Sequence, residues 1–267
     1  MADRTAPWPA GTPNWVDLAA TDARAATEFY AGLFGWQCEH QSTRDYWICR
    51  VDGEDVGGIG GKHPGTETLP SRWTTYLATD HVDRTAAAVV EAGGRLLLDP
   101  TDVSVHGRMA IATDPNDAIF GLWQATDHIG TGRGSDPGML VWSEALSRGY
   151  DEAKAFYTQV FGYRVEEIGS TEDFGGPGDQ YADARYAALY AAGKPVAGTG
   201  EFHPEMPAET PAHWLPYFAT ADLDATVARA ERSGGRLSGD PLDTDFGRMA
   251  VLTDPESAVF AVIQLAV

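Results

Sequence analysis

Apolar and polar positions alternate from Trp15 to Ala19 and then change period, with Phe29, Tyr30, Leu33 and Phe34 recurring on one helical face. Thr21 or Asp22 stands where that helix needs an N-cap, and Gly35 where it needs a left-handed stop. "DYWICRVDG" and "EDVGGIGG" then read as strands joined by a turn at Asp52-Gly53. A second unit starts with "WTTYLAT", continues as a helix from about Val82 to Ala92 and stops at Gly93-Gly94. "RLLLDP", "GRMAIATDP" and "AIFGLWQ" supply three further strands.

The same pattern is then written again. Trp15 to Trp36 matches Trp142 to Tyr163 at an offset of 127. Trp73 to Pro100 matches Trp214 to Pro241 with thirteen identities in twenty-eight positions, and Gly107 to Gln124 matches Gly247 to Gln264 with ten in eighteen. The α+β pattern is therefore four βαβββ modules, two per half. Residues 1–13 are a Pro-rich arm, 14–125 a first domain and 139–267 a second, and "TDHIGTGRGSDPG" at 126–138 is the linker.

"FYAGLFGW", "FYTQVFGY" and "GRMAIATDPNDAIFGLWQ" resemble the vicinal oxygen chelate superfamily, which holds glyoxalases, bleomycin-resistance proteins and dioxygenases. The likeness is greatest to tandem two-domain actinobacterial members labelled hydroxylases. It implies two glyoxalase-like domains whose paired modules form half-open barrels. In metal-dependent members it further implies a His near the start of the first strand and a Glu in the closing strand, which leave open positions on the ion for two substrate oxygens.

Alignment puts those ligands at Trp15 and Gly121 in the first half and at Trp142 and Ala261 in the second, with Trp73 or Thr74, and Trp214 or Leu215, at further His positions. None of these side chains binds a metal, so no metal or other cofactor is expected. His63 and His203 precede Pro in matched loops and, with Asp17 and Glu144, are the displaced ligands on which a divalent-metal alternative rests.

Asp17 and Glu144 share a face with Trp15 and Trp142 by period two, which makes them candidate catalytic acids or ligand hydrogen-bonders. They could equally pair with Arg108 or Arg248 or cap a loop. Trp15, Trp73, Trp142 and Trp214 near the aligned metal positions suit a planar organic ligand, and Trp47, Tyr76, Trp123 and Tyr217 add aromatic lining. Arg108 and Arg248 of the two "GRMA" strands would clamp a ligand oxyanion or brace the fold. Tyr30 and Tyr157 are expected in the core.

Composition narrows the partners. With 43% hydrophobic and 22% charged residues the chain is globular, and a formal charge of −20 with no basic stripe argues against nucleic acid and anionic membranes. The N-terminus lacks the apolar run of a signal peptide, and no stretch is long enough to span a membrane. Cys38 and Cys49 are expected as reduced thiols in a cytoplasmic protein. Together with what the resemblance implies, these observations favour a monomer or homodimer that binds a small aromatic or polyketide-like molecule, with or without metal-free transformation of it, in secondary-metabolite tailoring or resistance by sequestration. The alternatives are a metal-dependent lyase, isomerase or oxygenase with displaced ligands, and a non-catalytic interaction protein.

Overall fold

The computed structural model describes residues 6–41, 45–62, 68–132, 134–168 and 185–266. The first module is β1 (Pro13–Ala20), α1 (Ala23–Phe34), β2 (Gln37–His40), β3 (Tyr46–Val51) and β4 (Glu54–Gly61). The second is β5 (Arg72–Ala78), α2 (Val82–Glu91), β6 (Arg95–Val103), β7 (Gly107–Thr113) and β8 (Ile119–Ala125). The third comprises β9 (Leu140–Ser147), α3 (Tyr150–Phe161), β10 (Arg164–Ile168), β11 (Tyr186–Ala191) and β12 (Lys194–Glu201). The fourth comprises β13 (His213–Ala219), α4 (Leu223–Arg232), β14 (Arg236–Thr244), β15 (Gly247–Thr253) and β16 (Val259–Leu265). At α1 the cap is Asp22, whose side chain accepts from Ala25 N, and Gly35 adopts φ 75° as the left-handed terminator.

Each half forms one eight-stranded mixed sheet, ordered β2-β3-β4-β1-β5-β8-β7-β6 in the first half and β10-β11-β12-β9-β13-β16-β15-β14 in the second. Within a module the first and last strands pair in parallel, and β1 meets β5 antiparallel, as β9 meets β13. Each sheet is thus a half-open barrel with two faces. On β1, Val16 and Leu18 enter the helix-side core while Trp15 packs with Tyr76 and Trp123 on the inner face.

The helix-side cores cross the boundary between the halves. The first and fourth modules share one core, in which Tyr30 and Leu33 pack with Phe218, Leu252 and Phe260, joined by Trp73 of the second. The second and third share the other, where Leu77, Val89 and Phe120 meet Phe156 and Tyr157, joined by Trp214 of the fourth. Polar contacts follow the same exchange. Tyr30 donates to Asp254 Oδ2 and Tyr157 to Asp114 Oδ2, each at 3.1 Å. Glu256 accepts from the backbone N–H groups of Thr21 and Asp22 and from Ser71, which ties its carboxylate to the start of α1.

Cys38 and Cys49 stand directly opposite in the β2–β3 pair, with Cα atoms 4.0 Å apart, and form a disulfide. This overturns the expectation of reduced thiols. Spacing along the chain conceals register, and it is register that brings the two together. The cytoplasmic reading loses the support it drew from free thiols. Among the described residues no helix is long and apolar enough to cross a membrane. With a sequence separation of eleven, opening the bridge is expected to cost about 2–3 kcal/mol from the chain entropy it removes in the unfolded state. Urea denaturation with and without a phosphine reductant checks this, and coincident curves for fully reduced and oxidised protein would show that the bridge carries no stability.

Candidate functional site

The inner face of each sheet holds a matched polar cluster in an apolar lining. In the first half, Trp15 Nε1 donates to Tyr46 Oη at 3.0 Å and Tyr76 Oη donates to Asp17 Oδ2 at 3.0 Å. In the second, Trp142 Nε1 donates to Tyr186 Oη at 2.9 Å and Tyr217 Oη donates to Glu144 Oε1 at 2.6 Å. Asp17 and Glu144 are buried. Each cluster thus joins an indole, a carboxyl group and two phenols drawn from three strands.

Glycines make the space. A Cβ on Gly58 or Gly60 would collide with Tyr46, and one on Gly198 would collide with Tyr186, so these phenols lie flat across β4 and β12. This accounts for "GGIGG" as a floor under a ring. Gly121 has the same role beneath the ring of Tyr76, into which any side chain there would run.

The two clusters differ electrically. The Arg72 guanidinium interacts favourably with Asp17, although burial lowers its pKa. The residue matching Arg72 is His213, whose pKa burial also lowers and whose Nδ1 lies 2.9 Å from the Pro211 carbonyl. Burial raises the Glu144 pKa above its ordinary 4.5, against the opposing hydrogen bonds from Tyr217 and Tyr186. A carboxyl group raised in this way contributes stability that is complete below about 4.5 and is lost as pH rises through its folded value. Among the described residues, Tyr186 and Tyr217 hydrogen-bond the Glu144 carboxyl, His213 of β13 shares its face, and Arg164, Glu166 and Tyr190 lie further out on the same face of β10 and β11. Wild-type stability is therefore expected to fall relative to Glu144→Gln as pH increases above 4.5. Parallel urea-stability profiles from pH 4 to 8 would show that Glu144 does not titrate in that window.

Several expected site residues lie elsewhere. Trp73 and Trp214 face the helices, donating at 2.9 and 2.8 Å to the hydroxyls of Tyr30 and Tyr157. Trp47 also packs on the helix-side core, beside His40. Because strands alternate, the neighbouring Thr74 and Leu215 take the inner position opposite Asp17 and Glu144. Arg108 and Arg248 sit one residue before the inner-facing Met109 and Met249 and brace the first turns of α2 and α4. Arg108 pairs with Asp83 and Asp102 at 3.1 and 3.2 Å, and Arg248 with Asp224 and Asp243 at 2.8 and 3.8 Å. The structure thus brings Trp15, Asp17, Tyr76 and Trp123 together, and likewise Trp142, Glu144 and Tyr217, without either arginine.

Tyr46, Tyr186, Arg72 and His128 are inner-face residues that the sequence reading passed over. Tyr46 and Tyr186 share an offset of 140 with their glycine floors, a signal present in the repeat. His128 belongs to the linker and carried no such signal.

The description "Glyoxalase-like domain" matches residues 15–122, and "Glyoxalase/Bleomycin resistance protein/Dioxygenase superfamily" matches 141–262. "Putative glyoxylase CFP32" of Mycobacterium tuberculosis is 39% identical over 262 residues, covering 96% of this chain and 95% of that protein. The chain belongs to this superfamily. Another superfamily relative, "Anthracycline biosynthesis protein DnrV" of Streptomyces peucetius, is 33% identical over 270 residues, covering 96% and 94%. Among solved structures, a Mn(II)-bound glyoxalase from Novosphingobium aromaticivorans shares the glyoxalase fold with a TM-score of 0.64 at 16% identity, covering 96% of this chain and 82% of that one. A homoprotocatechuate 2,3-dioxygenase variant from Brevibacterium fuscum aligns with a TM-score of 0.63 at 15% identity, covering 99% and 74%.

That glyoxalase holds Mn(II), whereas the residues this chain has at the aligned ligand positions do not fit a metal. Trp15, Thr74 and Gly121 occupy the aligned positions in the first half, and Trp142, Leu215 and Ala261 those in the second. The Tyr76 ring covers Gly121. Among the described residues no three His, Cys, Asp or Glu side chains converge. His203 Nδ1 accepts from the Glu205 backbone N–H at 3.2 Å, and His63 lies outside the described residues. What the clusters can do is hydrogen-bond and orient an organic molecule, and exchange a proton with it through carboxyl and phenol oxygens.

Proposed function

We propose that this chain binds a small aromatic or polyketide-like molecule on the inner face of its half-barrels, to tailor it without metal or to sequester it. The observation that carries this reading is the paired cluster of indole, carboxyl and phenol groups standing where the superfamily pattern calls for metal ligands. Flat rings give a planar ligand apolar contact, while the carboxyl and hydroxyl groups fix its orientation. Two relatives named as anthracycline biosynthesis proteins, each 33% identical over 270 residues, support the same chemical class.

In a tailoring role, the carboxyl of whichever half holds the ligand would exchange a proton with a ligand hydroxyl or carbonyl, assisted by its phenol partner, Tyr76 at Asp17 or Tyr217 at Glu144. Glu144, in its protonated form, would donate one to a ligand carbonyl. Sequestration uses the same contacts without turnover. The test is calorimetric titration with 1,8-dihydroxyanthraquinone. Saturable binding with micromolar affinity is expected, and its absence overturns the reading. Elemental analysis that returned near one equivalent of a transition metal per half, with binding lost on chelation, would overturn the metal-free part alone.

A further inference from the structure

Among the described residues the two inner faces have matching polar clusters but unequal covers. In the first half, residues 126–132 are fastened across the mouth. The backbone N–H groups of Thr126 and His128 donate to the His106 carbonyl at 3.1 Å, and those of Thr131 and Gly132 donate to Asn14 and Asp55 at 2.7 and 3.0 Å. His128 then drops its imidazole edge-on against Trp15, with centroids 4.4 Å apart at 87°, and 5.7 Å from Trp123. Its carbonyl accepts from Trp123 Nε1 at 2.8 Å. Trp15 and Trp123 are only 5% and 6% exposed, so both indoles have their partners from within the chain.

In the second half, Trp142 is half-buried, and among the described residues no aromatic ring or imidazole packs on it. Ile263, a smaller side chain than the matching Trp123, packs there with Met249 and Val141. The surroundings are also more apolar. Leu146 and Leu215 stand where the first half has Ala19 and Thr74, and His213 stands in place of Arg72. A charged ligand would enter without a guanidinium to compensate its lost hydration, whereas a neutral one would lose little.

We propose that the second half carries the working site and that its occupant is an uncharged planar molecule, stacked on Trp142 and hydrogen-bonded to the Glu144–Tyr186–Tyr217 cluster. This rests on the binding reading given above. It adds which half works and what charge the ligand carries. In this arrangement the first half serves as a closed partner domain, its aromatic surface satisfied by the linker.

The experiment is isothermal titration of the full chain with 1,8-dihydroxyanthraquinone at pH 6, and with anthraquinone-2-sulfonate as a charged analogue. One equivalent of the neutral probe is expected per chain, with the sulfonate at least tenfold weaker. Trp142→Phe and Ile263→Trp, the latter copying the ring found in the first half, should each weaken the neutral probe at least fivefold. Thermal melts confirm that each variant is folded, and two variants keep the test decisive if one is not. Binding lost with Asp17→Asn but kept in Trp142→Phe and Ile263→Trp would place the ligand in the first half and overturn this inference while sparing the binding reading. Equal affinity for the sulfonate would overturn the uncharged class. No saturable binding of either probe would overturn the binding reading itself.

Discussion

Residues 1–132 expressed without the remainder of the chain are expected to give no folded monomer. The repeat makes this half look like an independent domain, but its helix side is finished by the other half. Without it, Tyr30, Leu33 and Trp73 lose Phe218, Leu252 and Phe260, while Leu77, Val89 and Phe120 lose Phe156, Tyr157 and Trp214. Each large apolar side chain returned to water forfeits about 2 kcal/mol, so exposing these six forfeits roughly 12 kcal/mol, comparable to the ~5–15 kcal/mol by which a whole protein is ordinarily stable. Tyr30 and the start of α1 would also lose Asp254 and Glu256. Light scattering should find aggregates or a self-associated form in which a second copy covers the exposed face. Co-expression with the second half should restore a soluble complex. A monodisperse monomer with a cooperative melt near that of the full chain would show that the shared cores contribute little.

This interlocking was not legible in the sequence, although the fold was. The duplicated pattern fixed the modules and their order, and period-two alternation correctly placed Trp15 with Asp17 and Trp142 with Glu144. The same alternation explains the misplacement of Trp73 and Trp214. Alignment located the metal positions of β5 and β13 only to within one residue, and one residue is the difference between the ligand face and the helix core. Of the two roles open to Arg108 and Arg248, clamp or brace, the ion pairs show the brace, since the inner-facing member of each "GRMA" strand is the methionine. Contacts between distant positions had no sequence signal. Tyr30 and Asp254 are 224 residues apart, and the Cys38–Cys49 bridge needs the β2–β3 register to be known. Identical "FY" and "TDP" signatures in both halves do have one physical explanation in common. Tyrosine from each copy reaches aspartate of the other, so duplication preserved both ends of the two contacts.

Asp254→Ala is accordingly expected to be among the most damaging single substitutions in the chain. The carboxylate accepts from Tyr30 Oη at 3.1 Å and from the backbone N–H groups of Glu256 and Ala258 at 2.9 and 2.8 Å. The Tyr30 hydroxyl in turn accepts from Trp73 Nε1 at 2.9 Å. Alanine orphans three donors at once and leaves a void beside a fully buried tyrosine. At 1–3 kcal/mol for each unsatisfied buried group, with some relief from relaxation, the loss should be about 3–5 kcal/mol. Asn keeps one acceptor oxygen for the two backbone donors, so Asp254→Asn should cost about half as much. Removing the hydroxyl in Tyr30→Phe strands the Trp73 N–H, whereas Tyr30→Phe with Trp73→Phe removes donor and acceptor together and should recover part of that loss. Asp114, which holds Tyr157 in the same way at 3.1 Å, provides the control. If the contacts act as described, Asp114→Ala matches Asp254→Ala to within about 1 kcal/mol, the usual context scatter of such hydrogen bonds. Urea denaturation of the four single variants and the double variant at neutral pH measures all of these differences. A loss below about 1 kcal/mol for Asp254→Ala, smaller than a single ordinary buried hydrogen bond, would mean that apolar packing alone holds the halves together.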